Sequence, residues 1–130
     1  MKVNRYLLDN LTEQAKINSR LRQSFDLRTS QYDTSQRILN AVEPGTLIPI
    51  HRHSNTSETM VIVRGKLIER FYDDVGNLTD EFVMEPCGEY SMVQIDVGQW
   101  HSLEVLESGT IIFEAKDGLY EPLAEKDVIQ

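Results

Sequence analysis

The chain holds three histidines, and two of them, His51 and His53, stand one residue apart in the stretch Pro49-Ile-His-Arg-His-Ser. Alternate residues of an extended strand point to one face, about 6.6–7 Å apart along the chain. Two imidazoles so placed can lean towards a single ion, at a ligand distance of about 2.1 Å. Glu58 follows five residues after His53, and a short turn between them returns its carboxylate to the pair. The third histidine, His101, follows Gly98-Gln-Trp, which reads as a tight turn feeding a strand from Ser102 to Leu106. A turn residue there can project into a barrel mouth. Three neutral imidazoles and one carboxylate suit Mn, Fe, Ni, Cu or Zn and leave positions open for water or substrate. The expected cofactor is therefore one divalent transition metal on His51, His53, Glu58 and His101.

These residues need a scaffold, and the pattern around them is mostly β. Between Gln36 and Lys116 run short segments rich in β-branched and aromatic residues, such as Thr59-Met-Val-Ile-Val and Thr110-Ile-Ile-Phe-Glu-Ala. Turn signals separate them, among them Pro44-Gly45, Arg64-Gly65, Asp73–Asn77 and Ser108-Gly109. Strands at this spacing without intervening helices indicate an antiparallel sandwich or barrel. The segment Leu67 to Met84 reads as a hairpin around Asp73–Asn77. Met60, Ile62, Leu103 and Val105 share parity with Glu58 or His101 and are expected to line the interior.

Upstream, Leu7, Leu8, Leu11 and Ala15 lie at helical spacing, with charged and amide residues on the other face. This predicts one amphipathic helix of roughly three turns, ending near Asn18 or Ser19. A second helical turn is expected around Arg20 to Phe25. The resulting organisation is one domain over 1–130, with a helical extension (1–30), a β-barrel (36–116) and a polar tail (117–130) that packs only in part.

The 130 residues fit one domain, and the apolar 40% and charged 26% are ordinary for a globular chain. The net charge of -8 disfavours nucleic acid as a partner. No apolar run approaches the ~20 residues of a membrane span, and the N-terminus lacks an apolar signal core. With Cys87 as the lone cysteine, read as structural, a cytoplasmic location is expected. Arg20, Arg22, Arg28 and Arg37 are candidates for anchoring an anionic substrate, with Arg37 first because it lies inside a strand pattern. Lys116 and Tyr120 could close the barrel mouth, and Trp100, beside His101, could stack on a substrate ring or pack in the core or at the rim.

The spacing of the metal candidates resembles the cupin family. Its first motif, G-x5-H-x-H-x4-E-x6-G, is met by Gly45, His51, His53, Glu58 and Gly65. Of the second motif, Gly98 and His101 keep the G-x2-H core. Asp96 stands where proline is usual, Gly88 lies two residues too far upstream, and Val105 replaces the final asparagine. A wider resemblance, through Arg20-Leu-Arg, Gln36-Arg-Ile-Leu-Asn-Ala, Arg64-Gly-Lys, Trp100-His101 and Phe113-Glu-Ala-Lys-Asp-Gly-Leu-Tyr, is to the WbuC-type cupin metalloproteins of bacterial polysaccharide gene clusters. Arg28 departs from the histidine expected there.

The resemblance implies an all-β fold, a double-stranded β-helix or cupin jelly roll with an N-terminal α-helical segment. It also implies a small-molecule partner, a sugar derivative, and by analogy a homodimer. Three functions stay open: a metal-dependent isomerase or epimerase of a sugar or nucleotide sugar, a small dioxygenase, and a non-catalytic sugar-binding or regulatory module. For the first, Glu69, Tyr72 and Glu104 are the nameable proton carriers.

Overall fold

A computed structural model describes residues 1–129. Helix α1 (Arg5–Ile17) starts where the Asn4 side chain accepts from the Leu7 backbone N–H at 2.9 Å. The strands are β1 (Arg22–Asp26), β2 (Ser35–Val42), β3 (Ile50–His51), β4 (Glu58–Arg64) and β5 (Leu67–Tyr72). They continue with β6 (Leu78–Met84), β7 (Met92–Ile95), β8 (Trp100–Val105), β9 (Thr110–Asp117) and β10 (Val128–Ile129). They form two antiparallel five-stranded sheets, ordered β1-β2-β9-β4-β7 and β10-β3-β8-β5-β6. This is the expected all-β jelly roll with one N-terminal helix.

The first sheet is covered on both faces. On its outer face Leu39, Ala41 and Ile111 pack against Leu11 and Ala15 of α1. On its inner face Met60, Ile62 and Ile112 meet Leu67 and Met84 of the second sheet. The predicted interior residues Met60, Ile62 and Val105 are buried, and Leu103 packs against this inner cluster. Gly65 turns the chain from β4 into β5 at φ +90, and a Cβ there would collide with the backbone and side chain of Thr110. That close approach explains the glycine at this motif position.

The second helical turn expected around Arg20 to Phe25 does not form; the segment is strand β1. The Asn18 side chain accepts from the Arg20 N–H at 2.8 Å, and Leu21 reverses the chain at φ 57. Arg22 to Asp26 then pair with Val42 to Ile38, so strand pairing overrides the weak local helical pattern. The sheet therefore begins well before Gln36.

His101 also differs from expectation, lying inside β8 rather than in the preceding turn. The predicted hairpin from Leu67 to Met84 is present, with Asp73 Oδ1 accepting from the Val75 and Asn77 N–H groups. The tail packs in part: Gly118 donates to the Thr34 carbonyl and accepts from Gln36, Asp127 accepts from Arg52 and Ser54, and Val128 and Ile129 pair with His51 and Ile50. No helix among the described residues is long and apolar enough to cross a membrane.

Candidate metal centre

The second sheet sets two histidines side by side. His51 on β3 and His101 on β8 are direct antiparallel partners, with ring centroids 4.2 Å apart. His53 lies just past β3, where its carbonyl accepts from the Gly98 N–H at 2.9 Å. That bond ties the loop after β3 to the turn before β8. The His53 ring is 5.3 Å from His51 and 5.7 Å from His101. One nitrogen from each of the three rings lies within 4.8 Å of the others.

Glu58 opens β4 on the facing sheet and reaches across. Its Oε2 is 3.4 Å from His53 Nε2 and 3.3 Å from His101 Nε2. Sequence-distant elements, one end of each sheet, thus deliver four donors to one place.

The tautomers follow from the backbone. His51 Nδ1 is 2.9 Å from the Pro49 carbonyl, and His101 Nδ1 is 2.9 Å from the Gln99 carbonyl. A carbonyl only accepts, so each Nδ1 carries the proton and each Nε2 presents a lone pair. Metal-ligating histidines are held in this way. Burial, then the neighbouring His101, pushes His51 down to about 4, which keeps it neutral at pH 7. Burial alone would raise the Glu58 carboxyl, but His101, His53 and Lys116 outweigh it and keep the group ionised.

Glu58 Oε2 is nevertheless buried without a hydrogen-bond partner. It faces the lone pair of His101 Nε2, so acceptor meets acceptor there. A cation among these atoms removes the conflict, and the donor set fits a divalent transition metal.

The site stands at a neck. Outside it lies a cleft of about 550 Å³, reached by His53, Lys116 and Tyr120. Inside, between the sheets, is a cavity of about 280 Å³ lined by His101, Glu69 and Arg22 among others. His51, Glu58 and Glu114 touch both spaces.

The other predicted residues divide by face. Arg22 enters the inner cavity, with Nη1 donating to the Leu47 carbonyl at 3.1 Å. Lys116 lines the outer cleft, and Tyr120 stands exposed at its rim. Arg37, ranked first from the sequence, points to the opposite side of β2. It donates to Asp33 Oδ2 at 2.8 Å and to the Leu27 carbonyl at 3.3 Å. Arg20 is exposed and lines neither space, and Arg28 is held by Asp26 at 2.8 Å.

Trp100 neighbours His101 along β8, so it projects to the other face. There its Nε1 donates to Asp74 at 3.2 Å, and the Arg52 guanidinium lies 4.6 Å from its ring centroid. Tyr72 and Glu104 share that outer face, bonded to Ser102 at 3.1 Å and Arg70 at 2.9 Å. Neither reaches the histidines. Of the three proton-carrier candidates, only Glu69 lines the inner cavity.

Sequence reasoning missed Glu114. Its signal was parity: Glu114 stands two residues after Ile112 in β9, so both turn to the same inner face. Burial, then the charge of Glu58, raises its carboxyl.

Solved structures resemble this fold at low identity. KdgF from Halomonas sp. superposes with a TM-score of 0.62 at 10% identity, covering 78% of this chain and 83% of KdgF. Oxalate oxidase in complex with glycolate gives a TM-score of 0.65 at 12% identity, over 84% of this chain and 57% of that one. The capsular polysaccharide assembling protein CapF from Staphylococcus aureus gives 0.63 at 22% identity, over 87% of this chain. The chain spans only 32% of CapF. At these identities the likeness is one of fold, the cupin jelly roll. No curated protein matches in sequence. Residues 3–84, which hold α1 and the His51, His53 and Glu58 stretch, match a family described as a domain of unknown function (DUF6016), and the chain belongs to that family.

Proposed function

We propose that this protein is a metal-dependent cupin acting on a sugar or nucleotide sugar, as an isomerase or epimerase of bacterial polysaccharide biosynthesis. The observation that carries this reading is the convergence of His51, His53, Glu58 and His101 where an outer cleft meets an inner cavity. Those four residues would hold the ion. A bound divalent transition ion would supply Lewis-acid polarisation of a carbonyl or hydroxyl pair.

The chain's own groups do the rest. Met60, Ile95 and Ile112 give the cavity an apolar wall. Lys116 lines the outer cleft, where with Arg52 and Lys126 it would meet the phosphates of a nucleotide sugar. Glu114, exposed to both spaces and with its carboxyl raised by burial, takes and returns the proton. The resemblance to WbuC-type cupins supports the polysaccharide context, as does the fold shared with CapF. Exposed Leu78, Val83 and Met92 on β6 and β7 offer a contact for the homodimer, which sedimentation would detect.

The test is incubation of metal-loaded protein with nucleotide sugars and sugar phosphates, followed by NMR. Interconversion of a sugar is expected, and absence of both turnover and binding across the panel contradicts the reading. The same donor set favours dioxygen chemistry as a second reading. Oxygen uptake by the Fe(II) form but not the Zn form would establish that one instead.

A further inference from the structure

Among the described residues, Glu69 alone leaves both side-chain oxygens buried without a hydrogen-bond partner. It sits on β5 with 0% exposure. An orphaned buried group of this kind costs about 1–3 kcal/mol, and native structures keep few of them. It lines the cavity of about 280 Å³ that also meets His51, His101 and Glu58.

A second cation is not the explanation. Among the described residues, only the three histidines bring three His, Cys, Asp or Glu ligand atoms within 4.8 Å of one another. An anion is not favoured either. Three carboxyls, Glu58, Glu69 and Glu114, face this cavity against the single guanidinium of Arg22. That guanidinium already spends one donor on Leu47.

Resting on the reading above, we infer that Glu69 and Glu114 receive the hydroxyl groups of an uncharged sugar unit, whose other end reaches the histidines. Burial, then Glu58 and Glu114, raise the Glu69 carboxyl, which favours its protonated form. A protonated carboxyl offers one donor and one acceptor, and a hydroxyl answers both. The cavity lies at the small end of ligand pockets, typically about 300–1,000 Å³. It admits one sugar-sized unit. A nucleotide portion stays in the outer cleft. Met60, Ile95, Leu103 and Ile112 give the apolar wall on which the C–H face of a sugar rests.

The test uses metal-loaded full-length protein, calorimetry, and three probes: D-xylose (neutral), D-glucosamine (cationic) and D-glucuronate (anionic). Wild type is expected to bind xylose at least about tenfold more tightly than either charged sugar. Glu69→Leu should lose about tenfold or more of that affinity while keeping its metal and melting no lower than wild type. Glu69→Gln, which restores a donor and an acceptor, should recover most of it. Equal xylose binding by wild type and Glu69→Leu overturns the inference. So does a preference for glucosamine or glucuronate, or no xylose binding at all. Should Glu69→Leu fail to fold, a xylose-soaked wild-type crystal decides. Sugar oxygens within hydrogen-bond distance of Glu69 support the inference, and sugar bound elsewhere overturns it. Metal analysis of the same samples separates the two readings: wild type without metal defeats the metal-dependent function, whatever xylose does.

Discussion

Glu58 of β4 and Lys116 of β9 are direct cross-strand partners, so the carboxylate that meets the histidines has an ammonium as its neighbour in the sheet. The pair joins the metal site to the outer cleft. Lys116→Met should leave metal content unchanged and weaken nucleotide-sugar binding by about tenfold, the loss of one charge-assisted hydrogen bond. Uncharged sugars should lose much less. Calorimetry with a nucleotide sugar and its free sugar checks the difference.

Removing the ion should cost stability as well as function. Anything bound only by the folded state at a thousandfold excess over Kd adds about 4 kcal/mol. For a domain of this size that is on the order of 10 °C in Tm. Calorimetry before and after chelation, with recovery on adding metal back, checks this. An unchanged Tm contradicts a resident ion.

The pH profile should carry the mark of Glu69. Its carboxyl is raised by burial and by Glu58 and Glu114, so the folded state favours the protonated form. That contribution is complete below the unfolded value near 4.3. It is lost as pH rises through the higher folded value. Glu69→Gln cannot ionise, so its stability should fall less than wild type's as pH rises above about 4.3. Denaturant midpoints at several pH values measure this, and parallel curves contradict it.

The C-terminal closure is a separate device. Asp127 accepts from Arg52 Nε at 2.9 Å and from Ser54 Oγ at 2.6 Å, clasping the loop that carries His53. Asp127→Ala should release β10 and speed proteolysis within the exposed segment 118–126 severalfold. Mass spectrometry of the fragments checks it. An unchanged cleavage rate would mean that β10 holds without the clasp.

The metal candidates were legible because three of them fall within eight consecutive residues, where spacing alone constrains geometry. His101 was legible as a residue but not as part of a strand, because Trp100 and His101 follow a turn whose end no local pattern marks. The arginines were misranked for a physical reason. The first sheet is buried on both faces, under α1 outside and the second sheet inside, so alternation does not tell inner from outer. Arg37 faces out and Arg22 faces in, and only the fold decides which. The same ambiguity hid Glu114; Tyr72 and Glu104 lie on the second sheet, on the face turned away from the histidines. The β10 strand has two described residues and carries no pattern to read.

The central claim is that His51, His53, Glu58 and His101 hold one cation, and elemental analysis of wild type against His101→Ala tests it most directly. Wild type loaded and desalted should carry about one transition-metal ion per chain, and the variant should lose at least about 100-fold in affinity and retain almost none. Equal metal in the two proteins, or none in wild type, would contradict the account.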